Sequence, residues 1–146
     1  MESPVTKPPP AWLRSLGLDR PELRAWALYD WANSALVTTV LAAVFPVYYY
    51  KVAGAHLAAG EATRRYALCT AAALGGIALL GPFLGTLADV TAAKKKFLAA
   101  FMGLGVLAVG AMFWIQEGDW PLASALLILV NLGASGSFVF YDSLLP

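Results

Sequence analysis

Four long apolar segments separated by short polar ones make up most of the chain. The helices that they predict lie at about residues 23–50, 66–88, 97–116 and 121–141. Each has about the 20 residues that an α-helix needs to cross a membrane, or more. The polar segment Asp89–Lys96 is too short to cross anything and must be a tight turn. We therefore predict an all-α membrane protein with four transmembrane helices.

The first predicted helix has a start signal and excess length. Asp19 followed by Pro21 and Glu22 predicts an N-cap at Asp19. A helix of about 28 residues is about 42 Å long, whereas the hydrocarbon core of a membrane is roughly 30 Å thick. We expect tilt, or a kink at Pro46, to absorb the excess, and Pro82 to bend the second helix.

The composition is not that of a soluble protein, and the sequence lacks the residue patterns of most catalytic and metal-binding sites. Apolar residues make up 60% and charged residues 13% of the chain, against about 45–50% and 25% in soluble domains. No basic stripe interleaved with aromatic residues indicates nucleic acid. The single Cys69 allows no cysteine pair, and we expect a small core residue there and a solvated loop at His56. With no phosphate loop, metal spacing or nucleophile–base pair, we predict no enzyme, no metal and no cofactor.

Basic residues predict the orientation. We predict a proline-containing tail at residues 1–21, with one amphipathic turn near residues 12–16, and a four-helix region at 22–146. The tail side and the turn after the second helix carry seven of the ten lysines and arginines: Lys7, Arg14, Arg20, Arg24, Lys94, Lys95 and Lys96. Since such residues stay on the cytoplasmic side, both termini are predicted to be cytoplasmic. No cleaved secretory signal is predicted, because the chain opens on prolines.

Polar residues inside the first helix are candidates for function. Asp30, Asn33 and Ser34 follow one another at helical spacing. A carboxylate at the centre of a spanning helix costs roughly 2.5–3.5 kcal/mol and usually faces a polar cavity or a partner. Two interpretations stay open: a substrate path, with Asp30 exchanging a coupling proton, or structural hydrogen bonding between helices.

The fourth helix has a polar face as well. Asn131, Ser135, Phe138 and Asp142 lie within about a 60° arc. Asn131 and Ser135 either line a cavity opposite Asp30 and Asn33 or take part in helix packing.

Small residues in the middle two helices predict close packing. Gly81 and Gly85 form a small-xxx-small pair around Pro82, and Gly103 lies in a similar stripe on the third helix.

Two stretches resemble a known family. Arg20–Ser34 contains the string Tyr-Asp-Trp-Ala-Asn-Ser, and Gly81–Asp89 ends in Gly-Thr-Leu-Ala-Asp before a lysine cluster. Together with Phe140–Pro146 they resemble the vacuole effluxer-like branch of the major facilitator superfamily, the autophagy-related amino-acid exporters and their prokaryotic relatives. The match to the superfamily's motif between helices two and three is partial, because Val90 stands where an arginine is usual and Ala92 where a glycine is usual.

The resemblance implies the first four helices of a twelve-helix transporter built from inverted repeats. It implies that helices one and four line the substrate path, and that Gly85 and Asp89 belong to a cytoplasmic gate; ordinary interfacial charge is the alternative for Asp89. The chain is then an amino-terminal fragment.

The function implied is secondary active transport of small polar solutes, amino acids among them, of the efflux type. Its implied partners are membrane lipid, a small-molecule substrate, a proton as coupling ion and the remaining helices of the transporter. The location is the plasma membrane if the source is prokaryotic and the vacuolar membrane if it is fungal. The alternative function is a non-transporting four-helix scaffold or accessory subunit.

Overall fold

The computed structural model describes residues 10–143, and all regular structure within that range is helical. The helices are α1 (Ala11–Ser15), α2 (Pro21–Ala53), α3 (Glu61–Val90), α4 (Lys94–Trp114) and α5 (Trp120–Asp142). The last four are long and apolar enough to cross a membrane, which confirms the predicted fold class. Residues 1–9 of the predicted tail, and residues 144–146, lie outside the described residues.

The start of α2 differs from the prediction. Its N-cap is Arg20, with extended backbone and no side-chain cap hydrogen bond, so the N-cap assigned to Asp19 was wrong. Pro21 occupies the first turn, where its fixed φ and missing N–H favour a helix start without help from a capping side chain.

Charged residues extend α3 and α4 beyond their apolar runs. α3 begins at Glu61 rather than near residue 66, because the Glu61 carboxylate pairs with Arg64 at 2.8 Å and with Arg65 at 2.7 Å. Pairs at these spacings stabilise a helical turn. α4 begins at Lys94 rather than Phe97, so the lysine cluster forms its first turn.

α5 is the central helix of the described chain. Half of its most apolar segment is buried, against 11% in each of the other three spanning helices. α4 and α3 pack along α5. Phe45 and Tyr49, from the carboxyl-terminal part of α2, also pack against it. The core that results consists of Phe45, Tyr49, Ala53, Ala108, Ile115, Ala123, Leu126, Leu127 and Val130.

α4 and α5 approach most closely where Gly105 faces Gly133. A Cβ built on Gly133 would lie 2.5 Å from the Gly105 nitrogen and 2.9 Å from the Phe101 carbonyl oxygen. A Cβ on Gly136 would overlap the Phe101 ring. Backbones this close require residues without side chains.

The glycines chosen from the sequence for packing lie elsewhere. Among the described residues, no atom of another helix comes within 4 Å of a Cβ built on Gly81, Gly85 or Gly103, and Pro82 is exposed. Helix packing at Gly81, Pro82 and Gly103 therefore stays a prediction.

Pro46 changes the hydrogen bonding of α2 on both sides. Over Leu36–Val44 and Tyr49–Ala53 the backbone bonds run from i to i+5 instead of i+4. In that register the carbonyl that Pro46 leaves without a donor is that of Leu41. The Tyr66 hydroxyl of α3 donates to this carbonyl at 2.9 Å. A side chain of a neighbouring helix thus satisfies the acceptor, as a membrane interior requires.

Candidate functional site

Four aromatic rings join the amino-terminal part of α2 to the carboxyl end of α5. Tyr141 stacks on Trp26 with ring centroids 5.7 Å apart and on Tyr29 at 4.4 Å. Phe138 meets Tyr29 edge-on at 6.5 Å. We call Trp26, Tyr29, Phe138 and Tyr141 the aromatic cluster.

A chain of hydroxyl bonds reinforces the aromatic cluster. The Tyr29 hydroxyl donates to Ser137 Oγ at 2.6 Å, and Ser137 donates to the Ala134 carbonyl at 2.8 Å. Ser137 is buried. Ser137 was not predicted from the sequence, because the polar arc of α5 passes through Ser135, whereas α5 turns the adjacent face toward α2.

A groove runs between α2 on one side and α4 and α5 on the other. Its inner cavity has a volume of about 460 Å³. Its outer cavity, of about 500 Å³, has Glu22 and Lys95 among its lining residues, and the two cavities share Ala25 and Tyr29. The inner cavity is lined by Ala25, Leu28, Tyr29, Ala32, Asn33, Leu36, Met102, Gly105, Val106, Val109 and Ala134.

The three polar residues singled out on α2 lie in two different environments. Asn33 is only 8% exposed and lines the inner cavity, where its Nδ2 has no hydrogen-bond partner. Asp30 and Ser34 are exposed and line neither cavity.

The two polar residues predicted on α5 differ in burial. Asn131 is buried, and its Nδ2 donates to the Leu127 carbonyl one turn earlier at 2.9 Å. Ser135 is half-buried. Within residues 10–143 no hydrogen bond joins either of them to Asp30, Asn33 or Ser34, so their opposition across a path stays a prediction.

The turn between α3 and α4 contains an ion pair. Asp89 Oδ1 lies 2.7 Å from Lys94 Nζ, and the same ammonium donates to the Ser143 carbonyl at 3.3 Å. Lys94 therefore links the end of α3 to the end of α5. From the sequence, the three lysines were expected only to set the orientation in the membrane.

Ala92 occupies a backbone conformation that favours glycine. Its φ is +49°, and the amides of Ala92 and Ala93 donate to the carbonyls of Asp89 and Ala88. This is the Schellman pattern at a helix end, in which the left-handed residue is usually glycine. The geometry explains why the superfamily motif has glycine at this position, and it means that Ala92 is strained.

Among the described residues, no three histidine, cysteine, aspartate or glutamate side chains lie together in a way that could hold a metal ion.

Comparison with known proteins decides the family. The family model described as "Vacuole effluxer Atg22 like" matches residues 66–146, more than half of the chain. The chain belongs to this family. The family predicted from Tyr29–Ser34 and Gly81–Asp89 is thereby confirmed.

A curated relative agrees with this assignment. An uncharacterized MFS-type transporter of Bacillus subtilis (strain 168), YxiO, is 38% identical over 122 residues. The match covers 83% of this chain but only 28% of that protein. No solved structure matches the chain.

Proposed function

We propose that the chain contributes four helices to a secondary active transporter that exports small polar solutes by alternating access. The family match over α3, α4 and α5 is the main support, because the family is described as an effluxer and the Bacillus relative is named an MFS-type transporter. Amino acids are the candidate substrates and a proton the candidate coupling ion. We propose no catalytic role.

Transport by vesicles tests this proposal. Vesicles carrying the natural full-length protein should take up or release labelled amino acids faster than vesicles without it. Equal rates with the protein correctly inserted would favour the rival function, a non-transporting membrane scaffold.

We propose a substrate path along Asp30 and Ser34 of α2 and Asn131 and Ser135 of α5. The exposure of Asp30 and Ser34 supports this proposal for α2, whereas Asn131 is buried and Ser135 half-buried, so on α5 only the polar residue types support it. For Asn33 the other interpretation, hydrogen bonding between helices, fits better, because the inner cavity around its amide has almost entirely apolar walls.

We propose that Gly85, Asp89 and Lys94 form a gate at the cytoplasmic ends of α3, α4 and α5. Asp89→Asn should lower transport per molecule roughly fivefold or more, because it removes the charge that holds Lys94 between two helix ends. Membrane abundance should stay near normal, since exposed ion pairs add little stability. Transport rate divided by immunoblot abundance is the measurement.

Glu117→Gln is the matched control for the gate. Glu117 Oε1 lies 3.9 Å from His56 Nε2, and both side chains are more than two-thirds exposed. The control should transport normally. Normal transport by Asp89→Asn as well would show that the charge at position 89 has no gating role.

We propose that both ends of the four-helix unit face the cytoplasm, in the plasma membrane of a prokaryote or the vacuolar membrane of a fungus. In a Cys69→Ser background, single cysteines replacing His56 and Gly118 should react with an impermeant thiol reagent added outside. A cysteine replacing Ala93 should not react. If only the cysteine at position 93 reacted from outside, the proposed orientation would be wrong.

A further inference from the structure

α1 is a closed helical turn ahead of the first spanning helix. Gly17 ends it with a φ of +70°, and the Gly17 amide donates to the Arg14 carbonyl at 3.1 Å. The Leu18 amide donates to the Leu13 carbonyl at 2.8 Å. This is the Schellman pattern, in which a left-handed residue stops a helix and redirects the chain. α1 is therefore an element of its own and not an extension of α2.

One face of α1 is apolar and uncovered. Trp12 and Leu16 are four positions apart, so they share a face, and they are 61% and 65% exposed. Leu13, about 100° away around the helix, is buried, so α1 already packs against the protein with a different side. Arg14 lies roughly opposite Trp12 and Leu16. An indole and an isobutyl group in water are unfavourable, so this face requires a cover.

The position of α1 indicates what the cover is. Only five residues separate Leu16 from Pro21, where α2 begins, so the chain can hold the two apart by at most about 18 Å. Because α2 is a spanning helix, α1 is within reach of the headgroup layer. Tryptophan is enriched in that layer, since its ring is apolar and its N–H needs a polar partner.

The charge on this side of the protein is complementary to an anionic lipid surface. α2 and α3 cross the membrane in opposite directions, so the turn between α3 and α4 lies on the same side as α1. Lys95 of α4 and Glu22 of α2 line the outer cavity together, in agreement with this arrangement. The exposed carboxylates of Asp19 and Glu22 offset only part of the basic charge. The exposed basic residues on this side are Arg14, Arg20, Lys95 and Lys96.

A single helical turn offers little apolar area, so its binding to a membrane surface needs electrostatic attraction as well. We infer that α1 lies in the headgroup layer beside α2, with Trp12 and Leu16 toward the acyl chains and with Arg14 and Arg20 against anionic phospholipid headgroups. The inference rests on the membrane fold and not on transport, so its failure would leave the proposed function unaffected.

Quenching of a dye by lipid tests the depth of α1. The full-length protein, with its own cysteines replaced and Leu16→Cys labelled with the dye NBD, is placed in nanodiscs with about 30% phosphatidylglycerol and a lipid spin-labelled near its headgroup. Ala11→Cys with the same dye, about 140° around the helix, is the control. The lipid should quench the dye at position 16 at least about twofold more than the dye at position 11.

Two other quenching results would overturn the inference. Quenching of the dye at position 16 by aqueous iodide, and not by the lipid, would mean that this face is in water. Quenching by neither reagent would mean that another part of the protein covers it.

Removal of one basic charge tests the contact with anionic lipid. With the dye at position 16, Arg20→Gln should lower the ratio of quenched to unquenched protein about threefold to fivefold. Lys51→Gln, which removes an exposed charge at the other end of α2, should leave the ratio unchanged. In nanodiscs of phosphatidylcholine alone, Arg20→Gln should have no effect. Equal effects of the two substitutions, or equal quenching with and without phosphatidylglycerol, would overturn the inference.

Discussion

Gly133→Ala is expected to disrupt the packing of α4 on α5. The new methyl group would lie 2.5 Å from the Gly105 nitrogen and 2.6 Å from its Cα. These are backbone atoms and cannot rotate away, so the helices would have to separate. α5 has the largest buried fraction of the four spanning helices, and a shift there disturbs its contacts with α3 as well.

The expected loss is large for a single methyl group. Overpacking typically costs about 1–3 kcal/mol, and a backbone obstacle puts this site at the upper end or beyond. The unfolding midpoint of the full-length protein should fall by at least about 3 °C, with less protein eluting as a monodisperse peak.

Gly103→Ala is the control, since it adds the same methyl group to α4 where no atom of another described helix lies within 4 Å. Its midpoint should change by less than about 1 °C. Equal effects from the two substitutions would show that Gly105 and Gly133 are not the closest point between these helices.

Asp30→Asn is expected to abolish accumulation driven by a pH gradient while leaving exchange down a concentration gradient. Asparagine has nearly the same size and can still form hydrogen bonds, but it cannot release or bind a proton. If Asp30 couples a proton to transport, only the coupled reaction is lost. The exposed position of Asp30 means that the substitution should not reduce the amount of folded protein.

The rival account of Asp30 predicts a different result. A carboxylate that only forms hydrogen bonds near the membrane surface would be replaced adequately by asparagine. Ser34→Ala, one turn further along the same exposed face, is the control, because it removes a hydroxyl from the proposed path without removing a titratable group. It should alter the apparent substrate affinity and keep the pH dependence.

The four spanning helices follow from the sequence because a membrane imposes a strong condition on each segment separately. A run of about 20 apolar residues can be recognised without knowing what it packs against. The family could be recognised for a similar reason, since its signals are local strings such as Tyr29–Ser34. The start of α3 at Glu61 was missed because its three charged residues stabilise the helix by pairing with one another rather than by being apolar.

The contacts between helices could not be read in the same way. Gly103 and Gly105 look equivalent in the sequence, and only the rotation and offset of α4 against α5 decide that Gly105 faces Gly133. Asn33 and Ser34 differ by about 100° around the helix axis, which is enough to bury one and expose the other. The hydrogen bond from the Tyr66 hydroxyl to the Leu41 carbonyl depends on the widened helical turn before Pro46. No short sequence motif predicts that bond.

Accumulation of a labelled amino acid against its concentration gradient tests the central claim most directly. Vesicles carrying the full-length protein, and matched vesicles carrying Asp30→Asn, are given the same imposed pH gradient. The account predicts accumulation by the wild type, none by Asp30→Asn, and downhill exchange by both. Unchanged pH-driven accumulation by Asp30→Asn would contradict the placement of a coupling group on α2, and no transport by either protein would contradict the transporter itself.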